Sequence, residues 1–186
     1  MLLPSHYLIP PSPEHENEFL GSLERSLEVG ITLMQFRAKG MEPDQFESLA
    51  RKVVVTAHRF DCKVLLNADP EMVEKVGADG IHLDSKNIAA CESRPLPDNY
   101  MVAASGHTLE AMQKAERVGA TFGVLSPVKY TKAHPDIEPI GWERFEKIVS
   151  QLSIPVFALG GVSSDDEGDA HAAGALGIAG KGYWRS

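Results

Sequence analysis

Cations, hydroxyls and glycines recur in this chain at spacings that suit the capture of a phosphate ester. Gln35, Arg37 and Lys39 alternate with Phe36 and Ala38. On an extended segment this alternation turns the amide and both cations to one side. Two cations beside an amide suit an oxyanion such as a diphosphate. The run Ser126-Pro127-Val128-Lys129-Tyr130-Thr131-Lys132 adds hydroxyls and lysines, again a set that suits phosphate. Gly160-Gly161 and the run from Gly177 to Gly182, which includes Gly180 and Lys181, offer backbone N–H groups that an anion can approach closely. Ser105-Gly106-His107-Thr108 holds a histidine, the residue type that carries protons near neutral pH. Thr108 also suits a helix cap. Asp69 and Asp84 are carboxylates of the kind that hold Mg2+. Asp69 precedes Pro70 and fits a helix cap equally well.

Eight short apolar runs carry these groups near their C-terminal ends. They begin at His6, Ile31, Lys63, Gly80, Tyr100, Phe122, Pro155 and Ala175. Most are apolar on both faces, as parallel strands covered by helices are. Between them, Pro43 to Arg59 places Phe46, Leu49, Ala50, Val53, Val54 and Ala57 on one helical face. Leu109 to Val118 and Trp142 to Leu152 show the same pattern. Gly30, Gly77, Gly119 and Gly174 each follow a helical pattern just before a strand, where a left-handed helix terminator belongs.

Strands alternating with helices predict one compact (β/α)8 TIM barrel spanning 1–186. No G-x-G-x-x-G turn follows the first strand, which argues against an open dinucleotide-binding sheet. Little sequence follows the eighth strand, so a truncated eighth helix is expected. Tyr183 and Trp184 would plug the gap, or the gap would be a subunit interface. In such barrels the reactive groups lie at the C-terminal strand ends, and the loops after strands seven and eight cradle phosphate. His82 is expected to point into the barrel as a hydrogen-bonded core group.

With these motifs in this order, the chain resembles thiamine phosphate synthase and its relative thiazole tautomerase from about Tyr7 to Gly177. The matching runs are Q-x-R-x-K at Gln35, Arg37 and Lys39, L-N at Asn67, and G-A-D-G-x-H-L from Gly77 to Leu83. They continue with S-x-H-T-L-E-A from Ser105, S-P-V-x-x-T-K from Ser126, P-x-G-W-E from Pro139 and A-L-G-G-V from Ala158. The S-P-V and G-W-E wording is most similar to the synthase-like half fused behind Nudix hydrolases. The resemblance implies an enzyme of thiamine biosynthesis, a transferase joining a pyrimidine diphosphate to a thiazole phosphate with Mg2+. By position, Gln35, Arg37, Lys39 and Asn67 would face the pyrimidine diphosphate. Ser105, Ser126, Thr131 and Lys132 would sit near the phosphates, with Lys132 in a catalytic role. Gly160, Gly161 and Gly180 would hold the thiazole phosphate.

Departures from the family pattern fall on the metal site. Ala68 and Asn87 stand where the family places carboxylates, and Lys86 adds a positive charge. Lys181-Gly182 replaces an apolar-Ser pair, and Pro10-Pro11 follows the first strand where an Asp is usual. These changes leave two alternatives to the synthase reading. One is tautomerisation of a thiazole phosphate with His107 as proton carrier. The other is a phosphate-binding domain without turnover.

Composition narrows the partners. Lys plus Arg is 18 against 26 Asp plus Glu, a formal charge of −8, which argues against nucleic-acid binding. Two cysteines, Cys62 and Cys91, exclude a disulfide scaffold. No apolar run reaches membrane-span length, and no secretory leader is evident at the N-terminus. The expectation is a cytoplasmic protein with small-molecule phosphate ligands, no nucleic-acid or membrane partner, and room for a homo-oligomer.

Overall fold

The computed structural model describes residues 2–131, 137–182 and 184. Eight parallel strands close into a barrel in chain order, and β1 pairs with β8. The strands are β1 (His6–Leu8), β2 (Leu33–Phe36), β3 (Lys63–Leu66), β4 (Gly80–Leu83), β5 (Met101–Gly106), β6 (Phe122–Leu125), β7 (Val156–Ala158) and β8 (Gly177–Gly180). Helices α1 (Glu16–Leu27), α2 (Pro43–His58), α3 (Pro70–Val76), α4 (Ser85–Ala90), α5 (Leu109–Arg117), α6 (Gly141–Val149) and α7 (Glu167–Ala172) follow β1 to β7 in turn.

Period-two alternation divides each strand between two cores. Tyr7, Leu33, Leu65, Ala103, Phe122, Val124, Phe157 and Ala179 fill the barrel interior. Met34, Phe36, Val64 and Leu66 face outward into the layer shared with helices such as α2. The apolar face expected on α2 is buried there from Phe46 to Ala57. Gly30, Gly77, Gly119 and Gly174 all have φ between 73° and 92°, so the repeated helix-to-strand joint is real. A side chain at such a φ is strained, which is why glycine recurs.

Among the described residues no helix follows β8. Trp184 packs instead on Phe19 of α1, ring centroids 5.1 Å apart. Tyr183 lies outside the described residues. None of the described helices is long and apolar enough to cross a membrane.

Candidate active site

Continuing each strand's inward-facing series by two residues reaches the barrel mouth. There a cavity of about 480 Å3 opens. Its wall at β2 is Gln35, Arg37 and Lys39, while Phe36 between them packs outward against Phe46. Asn67 follows Leu65, His82 and Asp84 follow Gly80, and Ser105 and His107 follow Ala103. Ser126 and Thr131 close the β6 side, with Gly160 and Gly161 beside them after β7 and Gly180 and Lys181 at β8. All the expected site residues therefore meet in one cavity except Lys132, which lies outside the described residues.

Arg37 carries its Nε into this site buried and without a hydrogen-bond partner among the described residues. An unmet buried donor of this kind is costly unless a ligand or water answers it. Gln35 is almost wholly buried. Asn67 donates from Nδ2 to the His82 carbonyl oxygen at 2.9 Å, which orients its amide. His107 Nδ1 lies 2.7 Å from the Ser126 carbonyl oxygen and must donate to it. The Nε2 edge of a neutral His107 ring is then an acceptor. Thr108 caps α5 by accepting from the Ala111 N–H at 3.2 Å, so the neighbouring histidine is not needed for the cap.

The glycine pair after β7 has a different origin from the one expected. Gly160 and Gly161 adopt φ of 92° and 68°. A Cβ on Gly160 would lie 2.7 Å from Pro127 Cα, and one on Gly161 would lie 2.8 Å from Lys129 Cβ and closer still to the Tyr130 carbonyl oxygen. The missing side chains make room for the β6 loop, not directly for a ligand. That loop is fastened by bonds from Val128 N to Leu159 O (2.9 Å) and from Lys129 N to Gly160 O (2.8 Å). The N–H groups of Gly161 and Val162 have no acceptor among the described residues.

His82 confirms its expected core role and also reaches the cavity. Its Nδ1 is 2.9 Å from the Tyr7 hydroxyl and its Nε2 is 2.6 Å from Ser105 Oγ. Burial, reinforced by the Arg37 charge, pushes the His82 pKa down to about 3, against a smaller opposing effect of Asp84. Burial alone raises the Tyr7 phenol. Strand alternation, which put His82 two residues before Asp84, was the available signal that it lines the mouth; Ile9, Leu159 and Ala179, which line it too, carried none beyond their apolar character.

Neither aspartate behaves as expected of a metal ligand. Asp69 is exposed, lies away from the cavity and makes no side-chain cap bond. Asp84 caps α4, its Oδ1 accepting from Lys86 N at 3.1 Å and Asn87 N at 2.9 Å. The cap expected at Asp69 is made at Asp84.

With the mouth defined, similarity to known proteins is informative. The family model described as thiamine monophosphate synthase matches residues 6–181. The chain belongs to that family. The "Putative thiamine-phosphate synthase 2" of Aquifex aeolicus is 32% identical over 97% of both chains. A thiamine-phosphate synthase of Bacillus licheniformis is 31% identical over 94% of this chain and 80% of its own. Among solved structures, a thiamine phosphate pyrophosphorylase from Pyrococcus furiosus superposes with a TM-score of 0.79 at 26% identity, covering 94% of this chain and 84% of its own. Ala68 and Asn87 supply no carboxylate at the two positions where the resemblance implies one.

Proposed function

We propose that this family member joins a pyrimidine diphosphate to a thiazole phosphate in thiamine biosynthesis. The observation that carries the proposal is the mouth itself: cations on the β2 wall share one cavity with backbone N–H groups after β7 that have no acceptor among the described residues, so two phosphorylated substrates have separate anchors. Arg37 and Lys39 hold the diphosphate, and the buried Arg37 Nε gains its missing partner. The Gly161 and Val162 amides, with Gly180 and Thr131 nearby, take the thiazole phosphate. Gln35, Asn67, Ser105 and Ser126 orient the rings between these anchors. As the carbon–oxygen bond to diphosphate breaks, negative charge grows on the leaving group. Fixed cations stabilise it more than they stabilise the ground state.

Mg2+, which the family implies, does not find its donors among the described residues. No group of three His, Cys, Asp or Glu residues able to hold a metal occurs among the described residues. Asp84 is the one carboxylate among the described residues lining the mouth, and its Oδ1 already serves α4. Arg37, Lys39 and Lys181 line the same cavity. Their charges meet the diphosphate directly, and no step is assigned to a metal. Both cysteines are free, which suits a reducing cytoplasm.

His107 supports a second reading, proton transfer on a thiazole phosphate. Its Nδ1–H is held by the Ser126 carbonyl, which leaves Nε2 of a neutral ring as the acceptor, and His107 lines the cavity. Mass spectrometry with both precursors, and with a thiazole phosphate tautomer alone, separates the two. Joined product supports synthesis. Isomerisation without the pyrimidine supports the second reading.

A further inference from the structure

We infer that Tyr7, acting through His82, fixes Ser105 as a hydrogen-bond donor to the ligand, making Tyr7 and His82 positioning residues. The Tyr7 hydroxyl is buried at the centre of the barrel, between Phe122 and Phe157. Its one hydrogen-bond partner among the described residues is His82 Nδ1, 2.9 Å away. A buried hydroxyl must place its hydrogen on an acceptor. Tyr7 therefore donates and Nδ1 accepts. A neutral imidazole has one N–H, so the proton resides on Nε2. That N–H donates to Ser105 Oγ across 2.6 Å. The Ser105 hydrogen cannot then point at His82. It is directed into the cavity, which Ser105 lines.

The opposite polarity fails on the same accounting. If Ser105 donated to Nε2, Nδ1–H would have to donate to Tyr7, and the phenolic hydrogen would be left without an acceptor among the described residues around a buried hydroxyl. A doubly protonated ring is disfavoured by its burial and by Arg37. The polarity of a mouth residue is thus set from the barrel centre.

The identity of the ligand rests on the function proposed above; the proton assignment does not. Long-range proton–nitrogen NMR on the unliganded, histidine-labelled protein reads the ring directly, with His82→Gln assigning the signal. The expected result is a protonated Nε2 and an unprotonated Nδ1. A protonated Nδ1 would overturn the inference. A double-mutant cycle then tests the coupling by calorimetry with the pyrimidine diphosphate. Tyr7→Phe keeps the ring packing and is expected to weaken binding roughly 10-fold. In a Ser105→Ala background it is expected to cost nothing further. Additive losses in the cycle would mean Tyr7 acts through general packing, and would contradict the inference. Failure of the wild type to bind this ligand would count against the proposed function, while the NMR result would still decide the proton assignment.

Discussion

The Lys129 ammonium rests on Asp166 Oδ1, tying the β6 loop to the 3-10 turn Ser164–Asp166 that precedes α7. Asp166 also accepts from the Ser163 N–H at 3.0 Å, completing a capping box. One carboxylate thus fastens both sides of the cleft that contains Gly161. The Lys129 hydrogen bond, more than any other contact, holds its pKa below the usual carboxylate range. Asp166→Ala is expected to cost about 1–2 kcal/mol through lost cap and ion pair. That corresponds to roughly 3–6 °C in Tm. Because the folded pKa is depressed, this contribution is present above pH ~4 and is lost as pH falls through the folded value. Thermal melts of both proteins from neutral to acid pH check it: the gap should close at the acid end.

Gly161→Ala is expected to damage folding as well as binding. The new Cβ would meet Lys129 and the Tyr130 carbonyl in a left-handed backbone. Such strain costs about 1–3 kcal/mol. A melt should show the loss before any ligand is added. A variant with wild-type Tm and weakened phosphate binding would instead show that glycine serves the ligand alone.

His82 makes stability fall with acid. Its folded pKa is about 3, far below the ordinary histidine value of 6.5, so the unfolded chain binds the extra proton first. Below pH ~6.5 folding then loses up to about 1.4 kcal/mol per pH unit from this group. His82→Gln should flatten that part of the stability profile in urea titrations. An unchanged slope would show that His82 does not control it.

Arg37→Lys should weaken diphosphate binding by about 10-fold or more. A lysine keeps the charge but loses the planar fork and the buried Nε. Calorimetry with inorganic diphosphate reads the change; equal affinity would remove Arg37 from the anion site.

Much of this site was legible because a barrel converts strand ends into one rim. The Gln35-Arg37-Lys39 alternation, the four joint glycines and the position of Ser105-His107 each have a local cause, so local sequence carries them. The β7 glycines were legible as a feature but not in their cause, because the atoms they avoid belong to Pro127, Lys129 and Tyr130, over 30 residues away. The Lys129–Asp166 pair was missed for the same reason. Asp69 and Asp84 read alike as candidate metal ligands, with a cap expected only at Asp69, and the loop geometry places the cap at Asp84 instead. Trp184 against Phe19 joins the two ends of the chain, a contact that periodicity does not encode.

The most direct test of the account is a mass-spectrometric assay of purified protein with the pyrimidine diphosphate and the thiazole phosphate, run with Mg2+ and again with a chelator. The account predicts a joined product that depends on Arg37 and whose formation survives chelation, because protein cations meet the diphosphate charge. No joined product under either condition, with the protein folded and both ligands present, would contradict it.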